Sequence, residues 1–158
     1  MTWVGSETRA STEIRADVDT VRKFLLDVPG CGRLMPSVCS LEPVGDDLYH
    51  YRLEEFSNGA VSLAPEYVAR FDVSDPAEIR WEPHGEHNFK SWGVFRTTPG
   101  VGPDETVLEI DTRAEADLPV PAVMVPLVRP FASRSSNEVT TGFLRNIKNA
   151  LESDLGRG

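Results

Sequence analysis

The chain is poor in the residues that most often carry catalysis, redox chemistry or metals. Its 158 residues include two cysteines, Cys31 and Cys39, eight positions apart and in no CxxC pair. Two such thiols make no disulfide framework, and reduced cysteines in a cytoplasmic protein are expected. There are three histidines, His50, His84 and His87. The His84/His87 pair lies in a polar stretch with no third ligand close in sequence, so no metal site is expected. No GxSxG, HExxH or glycine-rich phosphate loop occurs, and spacing supplies no nucleophile–base pair and no cofactor motif. No apolar run approaches the ~20 residues that span a bilayer, which argues against stable membrane insertion. Residues Met1–Ala10 lack the basic start and apolar stretch of a secretory signal. Cations are also scarce, with 16 Lys and Arg against 25 Asp and Glu and a formal net charge of −9. That balance disfavours nucleic acid as a partner, because phosphate backbones demand a basic stripe. It equally disfavours electrostatic adsorption to anionic membranes. The densest basic set, Arg129, Arg134, Arg145 and Lys148, reads as a solvated helix face.

What the chain does have is an ordinary globular composition, 40% hydrophobic and 26% charged, at a length that fits one domain. Most of it alternates apolar and polar at strand period. In Thr2–Ile14 the even positions, among them Val4, Ala10 and Ile14, read as the inward face. A short helix follows, capped by Asp17 or Asp19, with Val18, Val21, Leu25 and Val28 at helical spacing and Pro29-Gly30 as its stop. A second helical turn is expected over Cys31–Met35. Strands then resume: Ser37–Val44, Leu48–Phe56, Val61–Val73, Ile79–Pro83, Phe89–Thr98 and Leu108–Leu118. Tight turns such as Gly45-Asp46-Asp47 and Ser57-Asn58-Gly59 favour antiparallel pairing. Pro65 suggests an edge or a bulge, and the facing of Phe89–Thr98 is ambiguous from pattern alone.

The last fifth has helical period, with Val139, Phe143, Ile147, Leu151 and Leu155 recurring every four residues. Before it, Leu118–Pro130 is apolar and broken by prolines at 119, 121, 126 and 130, so continuous helix is not expected there. That segment reads as a connector packed on the core, or as a lip over a cavity mouth or a protein-docking patch over Pro119–Pro130. The pattern as a whole predicts an α+β fold. A six- to seven-stranded curved antiparallel sheet, two short helices and a long C-terminal helix would enclose a cavity, with 156–158 as a frayed tail.

On that arrangement Tyr49, Tyr51, Tyr67, Trp81, Phe143 and Ile147 are expected to line the enclosed face, with Thr112 as an orienting hydroxyl. Such a lining suits a small hydrophobic ligand held mainly by apolar burial. Glu55 is the only carboxylate the alternation turns inward, and so the one candidate catalytic acid or base. The alternative reading, a cyclase- or dehydratase-type enzyme on a polyketide-like substrate, would pair it with Tyr49 or Tyr51 polarising a carbonyl. A third reading is an assembly or adaptor protein without chemistry.

The opening Ile14-Arg15-Ala16-Asp17-Val18-Asp19-Thr20-Val21 with Phe24-Leu25 and Asp27 resembles the strand-to-helix entry of the START-like, or SRPBCC, superfamily of helix-grip proteins. Pro29-Gly30-Cys31, Leu34-Met35-Pro36 and Val44-Gly45-Asp46 are similar to its carbon monoxide dehydrogenase-related group, and the terminal helix with Phe143-Leu144 and Ala150-Leu151 also fits. The resemblance implies one START-like domain over 1–155 with a hydrophobic cavity between sheet and helix, of the lipid-transfer or polyketide cyclase type. It implies no single activity, because this fold hosts carriers, enzymes and adaptors.

Overall fold

A computed structural model describes residues 2–58 and 61–156. The chain runs β1 (Thr2–Ile14), α1 (Val18–Leu26), α2 (Val28–Gly32), β2 (Val38–Gly45), β3 (Leu48–Leu53), β4 (Phe56–Asn58), β5 (Val61–Leu63), β6 (Glu66–Asp72), β7 (Glu78–His84), β8 (Phe89–Pro99) and β9 (Thr106–Leu118). A 3-10 turn over Ala122–Met124 leads into α3 (Val125–Gly156). Seven strands form one curved sheet in the order β1-β9-β8-β7-β6-β3-β2, every neighbouring pair antiparallel. β4 and β5 pair with each other in a separate ribbon. The expected α+β helix-grip architecture is therefore the observed one. Gly59 of the expected turn and residues 157–158 of the expected tail lie outside the described residues, and α3 runs through Gly156, the first residue of that tail.

Three boundaries differ from expectation. The first helical stretch breaks at Asp27 rather than at Pro29-Gly30. Asp27 caps α2 by accepting from the Gly30 amide at 3.2 Å, and Pro29 sits in the first turn, where its missing N–H costs no hydrogen bond. The second helix accordingly begins at Val28, three residues earlier than Cys31.

Second, the two expected strands Leu48–Phe56 and Val61–Val73 are each split. β3 ends at Leu53, and β5 ends at Leu63 before Ala64-Pro65. The break lets β4 and β5 leave the main sheet as a ribbon and β6 return to it. Pro65 has no donor for a ladder, yet its carbonyl accepts from Leu53 N at 2.9 Å. The expected edge or bulge at Pro65 is instead a break between two strands, with a change of sheet.

Third, helix begins at Val125, before Pro130. Pro126 is the second helical residue, so it breaks no bond, and Pro130 forfeits only the bond its N–H would make to the Pro126 carbonyl. The proline segment divides its side chains. Val120 and Val128 are buried against Val4, Leu63, Ala116 and Leu118, while Val123 and Leu127 are 80% and 69% exposed. Thr2 fixes the approach by donating to the Val120 carbonyl at 2.7 Å.

α3 crosses the sheet with an inward face of two characters. Its second half buries Phe143, Leu144, Ile147 and Leu151 in the main core, each worth about 1.5–3 kcal/mol. Its first half turns Ala132, Ser135, Ser136, Val139 and Thr140 toward the sheet. Large side chains fill the space under one half, and small ones leave it open under the other. Arg15 holds Glu152 at 3.1 Å, Lys148 pairs with Glu152 at 3.1 Å, and Lys148 also donates to the Glu13 carbonyl, which ties the helix to the end of β1.

Candidate functional site: a two-chambered cavity beneath α3

Two neighbouring spaces lie between the sheet and α3. The inner chamber is about 70 Å³ and is walled by α1, α2, the sheet and Phe143. The outer chamber is about 150 Å³ and lies under the small-residue half of α3, against β1, β8 and β9. They share Met35, Tyr67, Ser91, Thr112 and Thr140 as a common partition. Among the described residues Glu54, at the outer chamber, is the one exposed residue lining either space.

The inner wall is a run of aromatic contacts. Tyr51 and Tyr67 stack face to face, with ring centroids 4.7 Å apart and planes 5° from parallel. Phe71, Trp81, Phe95 and Phe143 follow in sequence at centroid distances of 5.8, 5.3 and 5.8 Å. Each pair adds about 0.5–1.5 kcal/mol beyond its area burial. β8 resolves the facing that alternation left open: Phe89, Ser91 and Phe95 line the cavity, and Gly93 lies under Trp81. Gly93 is needed there because the Trp81 indole lies directly over it; a Cβ at 93 would fall 2.1 Å from Trp81 Cζ2. So placed, Trp81 Nε1 donates to Ser91 Oγ at 2.9 Å.

Of the residues expected at the site, Tyr51, Tyr67, Trp81, Thr112 and Phe143 line the inner chamber, and Tyr67 and Thr112 line both. Thr112 spends its proton on the Trp92 carbonyl at 3.0 Å, which leaves its oxygen facing a ligand as an acceptor. Tyr49 and Ile147 line neither chamber. Tyr49 supports the wall from behind, edge-on to Phe71 at 5.5 Å, and Ile147 is fully buried core. Glu55 is exposed and lines neither chamber, contrary to its expected inward facing. Its position between β3 and β4 is the reason: alternation carries no phase across a break in a strand. Sequence reasoning missed Leu25, Val28 and Cys31 from the helices, Met35, and the α3 hydroxyls. The signal for the last was present, since Ser136 and Thr140 stand four apart on the face that continues through Phe143 and Ile147.

Among the described residues Glu54 is the only charged one lining either chamber, and it is exposed. Burial, with Asp27 nearby, pushes the Cys31 thiol up to about 12. Burial also raises both phenols, Tyr51 well above its ordinary value and Tyr67 despite an opposing hydrogen bond with Ser91. At physiological pH these groups are a thiol and two phenols, none ionised. Among the described residues no cluster of three or more His, Cys, Asp or Glu has metal-binding geometry.

The outer face of the sheet carries a wider, open groove of about 840 Å³. Its arginines are engaged by neighbouring groups: Arg80 and Arg96 share Glu78 at 2.7 and 3.3 Å, Arg96 also reaches Glu109, and Arg113 lies 4.5 Å over Trp92. It has the character of a solvated charge ladder. Among the described residues no helix is long and apolar enough to cross a membrane.

Comparison with known proteins agrees with this geometry. No family profile matches the sequence, and no curated protein matches it. Solved structures do. The Zhui aromatase/cyclase from Streptomyces is similar at a TM-score of 0.70 and 15% identity, with 96% of each chain covered. A START superfamily protein from Mycobacterium smegmatis is similar at 0.69 and 18%, covering 93% of this chain and 97% of its own. A norcoclaurine synthase point mutant from Thalictrum, solved with a transition-state analogue, is similar at 0.61 and 15%, with 98% of each chain covered. The chain has the START-like helix-grip fold.

Proposed function

We propose that this protein, acting as one START-like domain over 1–155, binds a small, uncharged, oxygen-bearing hydrophobic molecule in the space between sheet and α3. The observation that carries the reading is the wall itself: aromatic rings and hydroxyls, with the single charge at the rim. An anion placed inside would meet no cation among the lining residues, a cation would meet only Glu54 at the exposed rim, and an unpaired buried ion costs several kcal/mol. A neutral ligand meets ring faces from Tyr51, Tyr67, Trp81 and Phe143 and the acceptor oxygen of Thr112. Tyr49 and Ile147 hold that wall in place. Polyketide-like molecules fit this description better than fatty acids, whose carboxylate would find no cation.

A cyclase-type activity on such a ligand is the second reading, favoured by the resemblance to the Zhui aromatase/cyclase. The inner chamber's walls hold no carboxylate or imidazole. Catalysis in the inner chamber would therefore rest on shaping the ligand and on the neutral phenols of Tyr51 and Tyr67 as proton donors. Exposed Val123 and Leu127 support a protein-docking role for Pro119–Pro130 beside ligand binding.

Mass measurement of gently purified protein, first native and then denatured with organic extraction, tests the main reading. The expected result is an added mass that leaves on denaturation and behaves as a neutral compound in the extract. A co-purified fatty acid or phospholipid would contradict it.

A further inference from the structure

We infer that Met35 is a specificity-determining residue, the movable part of the partition whose bulk sets how large a ligand the site accepts. The inference rests on the ligand-binding reading above and says which residue controls its size range.

Each chamber alone, at about 70 and about 150 Å³, is smaller than the roughly 300–1,000 Å³ of ordinary small-molecule sites. A ligand larger than either chamber must extend through both, and to do so it must pass the partition. Of the five partition residues, four are fixed. Tyr67 is stacked on Tyr51 and packed against Phe89 at 5.2 Å. Ser91 is held by the Trp81 indole, and Thr112 by the Trp92 carbonyl. Thr140 is buried on α3. Met35 is the exception. It is half-buried, makes no polar bond through its side chain, and has an unbranched thioether that repacks easily.

The backbone carrying Met35 is pinned on both sides. On one side Asn146 Nδ2 donates to the Leu34 carbonyl at 2.7 Å. On the other, Pro36 lies so close to Gly142 of α3 that a Cβ there would fall 2.9 Å from its ring. Ser37 then turns the chain away in a left-handed conformation, φ 77°, which a non-glycine residue adopts only when its surroundings impose it. With the strap anchored, the side chain alone is free to open or close the partition.

Two neutral aromatic probes of different size test this: naphthol, with two fused rings, and hydroxypyrene, with four. Their affinities are measured by calorimetry for wild type, Met35→Ala, Met35→Phe and the volume-conserving Met35→Leu, with melting curves to confirm that each is folded. The expected result is a change in the hydroxypyrene-to-naphthol affinity ratio, raised about tenfold or more in Met35→Ala, lowered in Met35→Phe and close to wild type in Met35→Leu. A merely structural role would move both affinities together. If the folded variants bind both probes at the wild-type ratio, the inference is wrong and the binding reading stands. If wild type binds neither probe, both fall.

Discussion

Phe143→Asp is expected to leave the protein unfolded at room temperature, while Arg145→Asp two residues further along the same helix changes stability by no more than about 0.5 kcal/mol. Phe143 is buried on α3, edge-on to Phe95 at 5.8 Å, and forms the roof of the inner chamber. Removing its ring costs about 3–5 kcal/mol for lost contacts and the cavity left behind. The new carboxylate adds a desolvation penalty, because the residues lining the inner chamber include no cation to receive it. Against a total stability of about 5–15 kcal/mol, the sum exceeds what most domains tolerate. Arg145 is exposed and takes part in no ion pair among the described residues. Denaturant titrations followed by circular dichroism compare the two. A Phe143→Asp protein within about 1 kcal/mol of wild type would mean that α3 does not close the cavity at this point.

Gly93→Ala is expected to dislodge Trp81 and destabilise the protein by about 3 kcal/mol, combining overpacking with the loss of a hydrogen-bonded indole N–H. The added methyl carbon would lie 2.1, 2.5 and 2.6 Å from three atoms of the indole. The ring has to swing off β8, and in doing so it gives up Ser91 and its stacking on Phe71. Naphthol affinity should fall with it, since Trp81 forms part of the chamber wall. Gly5→Ala is the control: a Cβ at Gly5 meets nothing nearer than 3.5 Å, so it should be close to neutral. The near-ultraviolet dichroism of the tryptophans and a thermal melt read the difference. An unchanged tryptophan signal in Gly93→Ala would place Trp81 elsewhere.

These two positions also mark how far the sequence can be read. Phe143 stands out because α3 repeats large apolar residues every four positions, and that period survives into the core as Phe143, Ile147 and Leu151. The long alternations of β1 and β9 are equally legible, because both strands pair along their whole length without a slip. Gly93 is visible as a residue but not as a reason. Its role depends on Trp81 of the neighbouring strand, and a cross-strand contact leaves no periodic trace. Glu55 fails for a related cause: parity does not carry across the end of β3, where the chain leaves the sheet. The proline segment misleads when each proline is counted as a helix breaker. Pro126 occupies a first-turn position that needs no N–H, and Pro130 costs a single bond. The cavity's origin is the least legible part. It comes from small residues at 132, 135, 136 and 140 on the face where 143, 144, 147 and 151 are large, a contrast in volume rather than in polarity.

The central claim is that these neutral walls select an uncharged ligand, and charge is the variable that tests it most directly. Calorimetric titration of the wild-type protein with naphthol, naphthoate and naphthylmethylammonium keeps the ring system constant and changes the charge. Naphthol should bind at least about tenfold more tightly than either ion, a difference of about 1.4 kcal/mol or more. Naphthoate binding as tightly as naphthol, in a manner abolished by filling the chamber, would contradict the account.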